Sequence, residues 1–176
     1  YFQWTYPEQE IVSALDVLNQ QLLPKKEKRR IRLSLKLNSS IELLDFPMSN
    51  WPQGKARVQI SQEKVSSQDP YRQHKTDRRQ LYNSEFTRIQ SEGFDEVLFF
   101  NEKDELCEGA ISNIFILNDK NIWLTPKLSC GLLPGIWRQQ MLHELPAIET
   151  TITRKEVLTS QKILIGNSLR GPIDAE

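Results

Sequence analysis

Hydrophobic residues recur at helical spacing near the start of the chain and then alternate with polar ones. Four apolar side chains share one face of a predicted helix over residues 7–23: Ile11, Leu15, Leu18 and Leu22. Strict alternation over residues 31–37 predicts a half-buried strand, which a polar turn joins to a second strand over residues 41–46. A third strand is predicted over residues 56–60. The first part of the chain therefore predicts a helix, a hairpin and one further strand.

The second part of the chain alternates predicted helices and strands, after a Ser/Gln/Asp/Pro segment at residues 66–70 that is typical of a linker. Helices are predicted over residues 79–91, from Pro134 to about His143, and behind a capping box at residues 153–156, and strands over residues 97–100, 114–117, 122–124 and 162–165. This mixed order favours an α+β fold with an antiparallel or mixed sheet. A boundary in the linker gives two domains, residues 1–69 and 70–176.

Composition and charge exclude several classes of function for this chain of 176 residues. The 23 basic and 23 acidic side chains give no net charge, so nothing favours nucleic acid or an acidic membrane as a partner. No apolar run approaches the roughly 18 residues of a membrane span. Two histidines, His74 and His143, are too few for a multi-histidine metal site. Cys107 and Cys130 form no metal motif or disulfide framework, so we expect no metal and a cytoplasmic protein.

Glycines are concentrated in the second half of the chain, where four sharp turns carry polar side chains. The turns are residues 74–79, 108–113, 131–136 and 166–171. Together they offer a lysine, a carboxylate, a helix N-terminus and a polar turn between glycines. An anionic aldehyde cofactor needs such groups: an amine for a Schiff base, a carboxylate for a pyridinium nitrogen, and N–H groups for a phosphate. Each turn alone is ordinary structural chemistry, so only their combination and order indicate a site.

In these turns and the strands between them, the sequence resembles the class IV (fold-type IV) pyridoxal-phosphate enzymes. The resembling strings are His-Lys-Thr at 74–76, Gly-Phe-Asp-Glu-Val-Leu-Phe at 93–99, Glu-Gly at 108–109, Ser-Asn-Ile-Phe at 112–115, Leu-Ser-Cys-Gly-Leu-Leu-Pro-Gly at 128–135 and Gly-Asn-Ser-Leu-Arg-Gly at 166–171. The family includes branched-chain and D-amino-acid aminotransferases and aminodeoxychorismate lyase. The resemblance is greatest to the lyase part of fused para-aminobenzoate synthase proteins, and it is dense over residues 70–171.

The resemblance implies pyridoxal 5'-phosphate as the cofactor and gives roles to four charged residues. Lys75 would form the Schiff base with the cofactor and later act as general base and acid. Glu108 would pair with the pyridine nitrogen and keep the ring protonated. Arg78 and Arg79 would bind substrate or lower the pKa of the lysine.

The resemblance also places the cofactor phosphate at the start of the third predicted helix. Backbone N–H groups at Gly135 and Ile136 would hold the phosphate. Three polar residues would add further cofactor contacts: Asn113, Asn167 and Ser168. Trp137 stands where some relatives carry a phosphate-binding threonine, so a side-chain contact to the phosphate is not expected there.

The implied fold is α+β, with an incomplete small N-terminal α/β domain and a larger C-terminal domain built on a mixed, barrel-like sheet. The implied reaction is that of a lyase, which releases pyruvate from 4-amino-4-deoxychorismate to give 4-aminobenzoate in the folate pathway. The alternatives are a class IV aminotransferase, of the branched-chain or D-amino-acid type, and a non-catalytic fragment. Family members are homodimers, so the expected partners are a small-molecule substrate and a second copy, with an upstream fused or partner synthase component as a further option.

The family's first strands, which include a phosphate-binding arginine, have no match before Tyr1. We therefore expect the chain to start inside the small domain. If these residues were the whole molecule, the loss of one charge-assisted contact would predict weak or absent activity.

Overall fold

A computed structural model describes residues 6–22 and 27–176 of the chain. Among these residues, the α-helices are α1 (Glu8–Leu22), α2 (Gln80–Ser91), α3 (Ile136–Glu144) and α4 (Arg154–Thr159). The strands are β1 (Arg29–Leu35), β2 (Ile41–Pro47), β3 (Val58–Val65), β4 (Glu96–Asn101), β5 (Leu106–Gly109), β6 (Asn113–Leu117), β7 (Trp123–Pro126), β8 (Ala147–Thr150), β9 (Lys162–Asn167) and β10 (Gly171–Ala175). The predicted end of the first helix, at Leu23, lies outside the described residues. No described helix is both long and apolar enough to cross a membrane.

Contacts between residues divide the chain into two units, residues 1–50 and 51–176. In the first unit, β1 and β2 form the predicted antiparallel hairpin. Arg29 donates hydrogen bonds of 2.7 and 2.8 Å to the two carboxylate oxygens of Asp45 across this hairpin. On α1, the predicted apolar stripe buries Ile11.

The second unit contains a five-stranded sheet and a three-stranded sheet, and it confirms the predicted mixed α+β fold. The strand orders are β10-β9-β6-β7-β8 and β3-β4-β5. Two pairs, β3 with β4 and β7 with β8, are parallel, and the others are antiparallel. Among the described residues the two sheets do not close into a barrel, so the barrel-like part of the prediction is not observed.

β4 lies at the centre of the second unit, because both of its faces are covered. Leu98 and Phe100 belong to a core cluster with side chains of β6 and β9. Val97 and Phe99 belong to another cluster, with side chains of α2 and the segments around β5. Burial on both faces explains why this strand reads as a continuous apolar run rather than an alternating one.

The predicted domain boundary between residues 69 and 70 does not coincide with the division between Asn50 and Trp51. The reason is β3, which pairs in parallel with β4 and is therefore part of the second unit. The polar segment that we interpreted as a linker is a turn, and it leads into a short 3-10 helix, Pro70–Gln73.

Candidate active site

Lys75 lies in the segment between the 3-10 helix and α2. The 3-10 helix is capped by Asp69, whose carboxylate accepts a 3.0 Å hydrogen bond from the N–H of Tyr71. After Lys75 the backbone turns, since Thr76 Oγ1 accepts a 3.3 Å hydrogen bond from the N–H of Arg78. The lysine is therefore presented by a hydrogen-bonded loop rather than by a helix or a strand.

The pKa of Lys75 is lowered, although the residue keeps part of its surface exposed. The largest cause is desolvation of the ammonium group, which disfavours its charged form. The positive charge of Arg79 acts in the same direction, whereas the charge of Glu108 acts against it. The lowered pKa increases the neutral fraction of the amine, which is the form that reacts with an aldehyde.

Glu108, on β5, is half-buried, and both of its carboxylate oxygens accept hydrogen bonds from the protein. Its Oε1 accepts a 2.8 Å hydrogen bond from the hydroxyl of Tyr82, and its Oε2 accepts a 3.0 Å hydrogen bond from the N–H of Leu133. Desolvation raises the pKa of Glu108, and the two hydrogen bonds oppose that effect. Each oxygen keeps a further acceptor position, so the carboxylate can take one more donor, such as a protonated ring nitrogen.

Tyr82, for which we predicted no role in the site, connects the charged groups of this region. It is buried, and its ring lies beside the ring of Phe99, with 4.5 Å between the centroids. The guanidinium groups of Arg72 and Arg79 lie 4.9 and 5.3 Å from the centroid of the same tyrosine ring. Because its hydroxyl also donates to Glu108, Tyr82 contacts the carboxylate and both cations.

Arg79 and Arg78 occupy different surroundings, although both are candidates from the sequence. Arg79 is half-buried, and its guanidinium donates to the carbonyl oxygen of Ala110. Arg78 is exposed, and its guanidinium lies 4.1 Å from the centroid of the Tyr71 ring. Of these two arginines, Arg79 is the one whose charge contributes to the lowered pKa of Lys75.

The start of α3 is close to both Asn113 and the loop that precedes the helix. Gly135 is the N-cap residue and has no side chain of its own to cap this end of the helix. Asn113 donates a 3.0 Å hydrogen bond to the carbonyl of Leu133, and its Oδ1 occupies the space that a Cβ at Gly135 would need. Because Asn113 fills this space, the N-cap position has room only for glycine. The exposed side chain of Ile136 follows at the first position of the helix.

The turn between β9 and β10 meets the same end of α3. The hydroxyl oxygen of Ser168 accepts a 3.1 Å hydrogen bond from the N–H of Trp137. Asn167 donates a 2.9 Å hydrogen bond to the carbonyl of Ile111, which ties this turn to the segment after Glu108. The structure thus brings the second, third and fourth predicted turns together.

The side chain of Trp137 is directed into the core rather than towards the helix start. Its ring packs against Phe115, with 5.6 Å between the centroids. A Cβ on Gly166 would come within 2.5 Å of the indole, so the tryptophan lies directly against the backbone of β9. Only the N–H of this residue remains at the helix start, where a threonine would also present a hydroxyl.

These groups fit the chemistry of pyridoxal phosphate. A half-buried carboxylate with acceptor capacity, an amine with a lowered pKa, and the N-terminus of α3 match its ring nitrogen, aldehyde and phosphate. Within the part of the chain that the structure describes, no group of three or more His, Cys, Asp or Glu side chains could hold a metal ion.

Comparison with known proteins gives matches over most of the chain. The sequence model of the amino-transferase class IV family matches residues 9–175. A curated relative from Thermotoga maritima, named a probable branched-chain-amino-acid aminotransferase, is 24% identical over 83 residues. That alignment covers 44% of this chain and 30% of the relative, so the chain spans less than a third of the length of this protein.

Solved structures give more extensive matches. A structure from Mesorhizobium loti, provisionally named an amino-acid aminotransferase, is 33% identical, with a TM-score of 0.83 and coverage of 92% of this chain and 79% of the other. A structure from Legionella pneumophila, provisionally named a 4-amino-4-deoxychorismate lyase, is 21% identical, with a TM-score of 0.76 and coverage of 91% and 66%. The branched-chain aminotransferase of Thermoproteus uzoniensis is 19% identical, with a TM-score of 0.77 and coverage of 97% and 63%. At these lower identities the likeness concerns the fold alone.

Proposed function

Because the chain belongs to the amino-transferase class IV family, a family of pyridoxal-phosphate enzymes, we propose that it binds this cofactor and acts as a 4-amino-4-deoxychorismate lyase. The cofactor part of the proposal rests on one observation: Lys75 and Glu108 are close to each other and both have shifted pKa values. Desolvation lowers the pKa of Lys75, and the carboxylate of Glu108 is near enough for its charge to act on that lysine. Groups whose pKa values are shifted by desolvation and by specific charged neighbours are candidates for functional sites.

The residues that would hold the cofactor come from all four turns, the first of which carries Lys75. Glu108 would accept a hydrogen bond from the ring nitrogen, and the N–H of Ile136 would face the phosphate together with the hydroxyl of Ser168, which also accepts from the N–H of Trp137. When bound, pyridoxal phosphate supplies an aldehyde that condenses with amines and a protonated ring that accepts an electron pair. The positive ring nitrogen would favour the ionised form of Glu108 and so offset the desolvation of its carboxylate.

Lys75 would move the proton on which the reaction depends. A neutral Nζ can remove a proton from the substrate carbon that carries the amino group. In the lyase, the bond between the ring carbon and the ether oxygen would then break as the ring becomes aromatic, and the departing enolpyruvate would take up a proton to become pyruvate. The nearby charge of Arg79 keeps Nζ neutral more of the time, and the charge of Glu108 limits this effect.

The choice of lyase depends on two strings, Leu-Ser-Cys-Gly at residues 128–131 and Asn-Ser-Leu-Arg-Gly at residues 167–171, which resemble fused synthase-lyase chains. A class IV amino-acid aminotransferase is the second candidate. The 33% identity to the Mesorhizobium loti structure favours it. The same residues would serve this reaction. Lys75 would deliver the removed proton to the cofactor, and no pyruvate would be lost from the substrate.

The test has two stages. In the first, pyridoxal phosphate is added to the chain, and we expect a visible absorption band that disappears on borohydride reduction and does not form in Lys75→Ala. A chain that gives no such band would be the non-catalytic fragment. In the second stage, the loaded protein receives either 4-amino-4-deoxychorismate or an amino acid with 2-oxoglutarate. Formation of 4-aminobenzoate supports the lyase, and transamination without 4-aminobenzoate supports the second candidate.

We further propose that the active form is a homodimer, on the basis of the family resemblance. Light scattering of the loaded protein should give twice the mass of the chain. A monomeric mass at full activity would contradict this proposal. The same resemblance also suggests an upstream synthase component, either fused to this chain or separate, as a further partner.

A further inference from the structure

One buried carboxylate takes no part in the proposed chemistry. Glu96 is the first residue of β4, and its side chain is fully buried. Its Oε1 accepts hydrogen bonds of 2.9 Å from the N–H groups of Val97 and Ala110. Its Oε2 accepts a 3.1 Å hydrogen bond from the N–H of Ile111 and a 2.7 Å hydrogen bond from the hydroxyl of Ser112. A carboxylate offers about four acceptor positions, so this one is fully used within the protein.

Three of those four donors belong to residues 109–112, which we call the anchored loop. This loop contacts both ends of the proposed site. At the lysine end, the guanidinium of Arg79 donates to the carbonyl of Ala110. At the phosphate end, Asn167 donates a 2.9 Å hydrogen bond to the carbonyl of Ile111. A movement of the anchored loop would therefore displace partners at both ends.

The packing around the carboxylate leaves no room for adjustment. A Cβ at Gly109 would lie 2.7 Å from the carboxyl carbon of Glu96 and would also collide with the hydroxyl of Ser112. Any side chain at this glycine would force the carboxylate or the loop to move. The glycine and the glutamate therefore depend on each other.

We propose that Glu96 is a positioning residue of the cofactor site, which fixes the anchored loop and, through it, Arg79 and Asn167. This inference rests on the proposed function for its consequence, but the hydrogen bonds on which it depends are within the chain. Glutamine cannot replace the carboxylate, because its NH₂ group would face donors and leave them without an acceptor. Glu96→Gln is thus a variant of almost the same size that keeps one acceptor oxygen and loses the other.

The test compares Glu96→Gln with Glu85→Gln as a matched control. Glu85 is also a buried carboxylate, and it accepts a 2.6 Å hydrogen bond from Ser61 and bonds from Arg88, but none from the anchored loop. The first readout is the hydrogen exchange of the loop amides in the protein without cofactor. The second is the dissociation constant for pyridoxal phosphate.

For Glu96→Gln we expect loop amides to exchange about tenfold faster and the dissociation constant to rise about tenfold, because buried donors have lost their acceptor. For the control we expect both readouts within about twofold of the unaltered chain. Ser112→Ala removes one donor only and should give a smaller change in the same direction. Gly109→Ala keeps the carboxylate but crowds it, and should also loosen the loop. These milder variants decide the question if Glu96→Gln does not fold.

Two outcomes separate this inference from the proposed function. Loop exchange in Glu96→Gln that matches the control would overturn the positioning role, even if the cofactor binds normally. An unaltered chain that does not bind pyridoxal phosphate would contradict the proposed function and remove the consequence for the cofactor. The exchange comparison would then still decide whether Glu96 holds the loop.

Discussion

The two ends of the proposed site are built from different kinds of contact. At the lysine end, the properties of Lys75 and Glu108 depend on desolvation and on the charges of neighbouring arginines. At the phosphate end, Gly135 and Ser168 contribute close packing and a hydrogen bond to backbone. Electrostatic interactions extend over several ångströms, whereas the energy of packing changes when atoms move by tenths of an ångström. Substitutions at the lysine end should therefore alter pH dependence, and substitutions at the phosphate end should alter affinity.

The largest effect is expected for Lys75→Ala, which removes the amine from the lysine end. Turnover should fall by about 10²–10⁴-fold, the usual contribution of a general acid–base group. Because the phosphate end is unchanged, pyridoxal phosphate should still bind without forming a Schiff base. Equilibrium dialysis measures this binding, and Lys103→Ala, at another exposed lysine, is the control. Complete loss of binding in Lys75→Ala would mean that the two ends are not separable.

Gly135→Ala tests the phosphate end by size alone. The added Cβ would collide with Asn113 Oδ1, so either the asparagine or the helix start must move. We expect the affinity for pyridoxal phosphate to fall by about tenfold to a hundredfold, at an unchanged pH optimum. The double variant with Asn113→Ala removes the colliding atom and should recover part of this loss. A shift of the pH profile in the single variant would contradict the division between the ends.

Tyr82 offers a way to separate two contacts at the lysine end. Phenylalanine at this position removes the 2.8 Å hydrogen bond to Glu108 but keeps the ring beside Arg72 and Arg79. Because that bond opposes the raised pKa of Glu108, its loss should raise the pKa of the carboxyl further. We expect turnover to fall by about tenfold in Tyr82→Phe and further in Tyr82→Leu, which also removes the ring. Equal turnover in the two variants would show that the ring contributes nothing.

Arg79→Gln should change the pH profile more than the maximal rate. The charge of Arg79 lowers the pKa of Lys75, so its removal should raise that pKa and leave less neutral amine at a given pH. When Lys75 is modified with an amine-reactive reagent, the rate of modification should therefore increase with pH over a higher pH range in Arg79→Gln than in the unaltered chain. Arg78→Gln is the matched control, because the guanidinium of Arg78 lies over Tyr71. Equal shifts in both variants would mean that general surface charge, not Arg79, sets the pKa.

Much of the fold could be predicted from local pattern. The capping box before α4 is present, with the hydroxyl of Thr153 accepting from the N–H of Glu156 and the carboxylate accepting in return. The hairpins and α2 were also predictable, since their signals lie within a few residues of each other. Three strands were not predicted: β5, β8 and β10. They are only four or five residues long, and β10 contains Gly171 and Pro172, which read as a turn.

For the candidate site, too, local features could be predicted from the sequence and contacts between distant residues could not. The four turns could be recognised because each carries its own polar residues and glycines. The contact between Tyr82 and Glu108 joins residues 26 positions apart, and nothing local signals it. Glu96 directly precedes the strand predicted at residues 97–100 and has no predicted role, yet it accepts four hydrogen bonds in the interior. Only the tertiary arrangement shows which polar residues meet.

The smallest effect is expected at Ser168, where a single hydrogen bond is at stake. Ser168→Ala removes the hydroxyl that would face the phosphate, which is also the acceptor of the 3.1 Å bond from the N–H of Trp137. A neutral hydrogen bond of this kind is worth about 0.5–1.5 kcal/mol, so the affinity for pyridoxal phosphate should fall by about twofold to tenfold. Binding of inorganic phosphate should weaken by the same factor, because the contact lies at the phosphate end. If only the aldehyde-bearing cofactor lost affinity, Ser168 would act on the lysine end, and the two ends would have to be treated as one site.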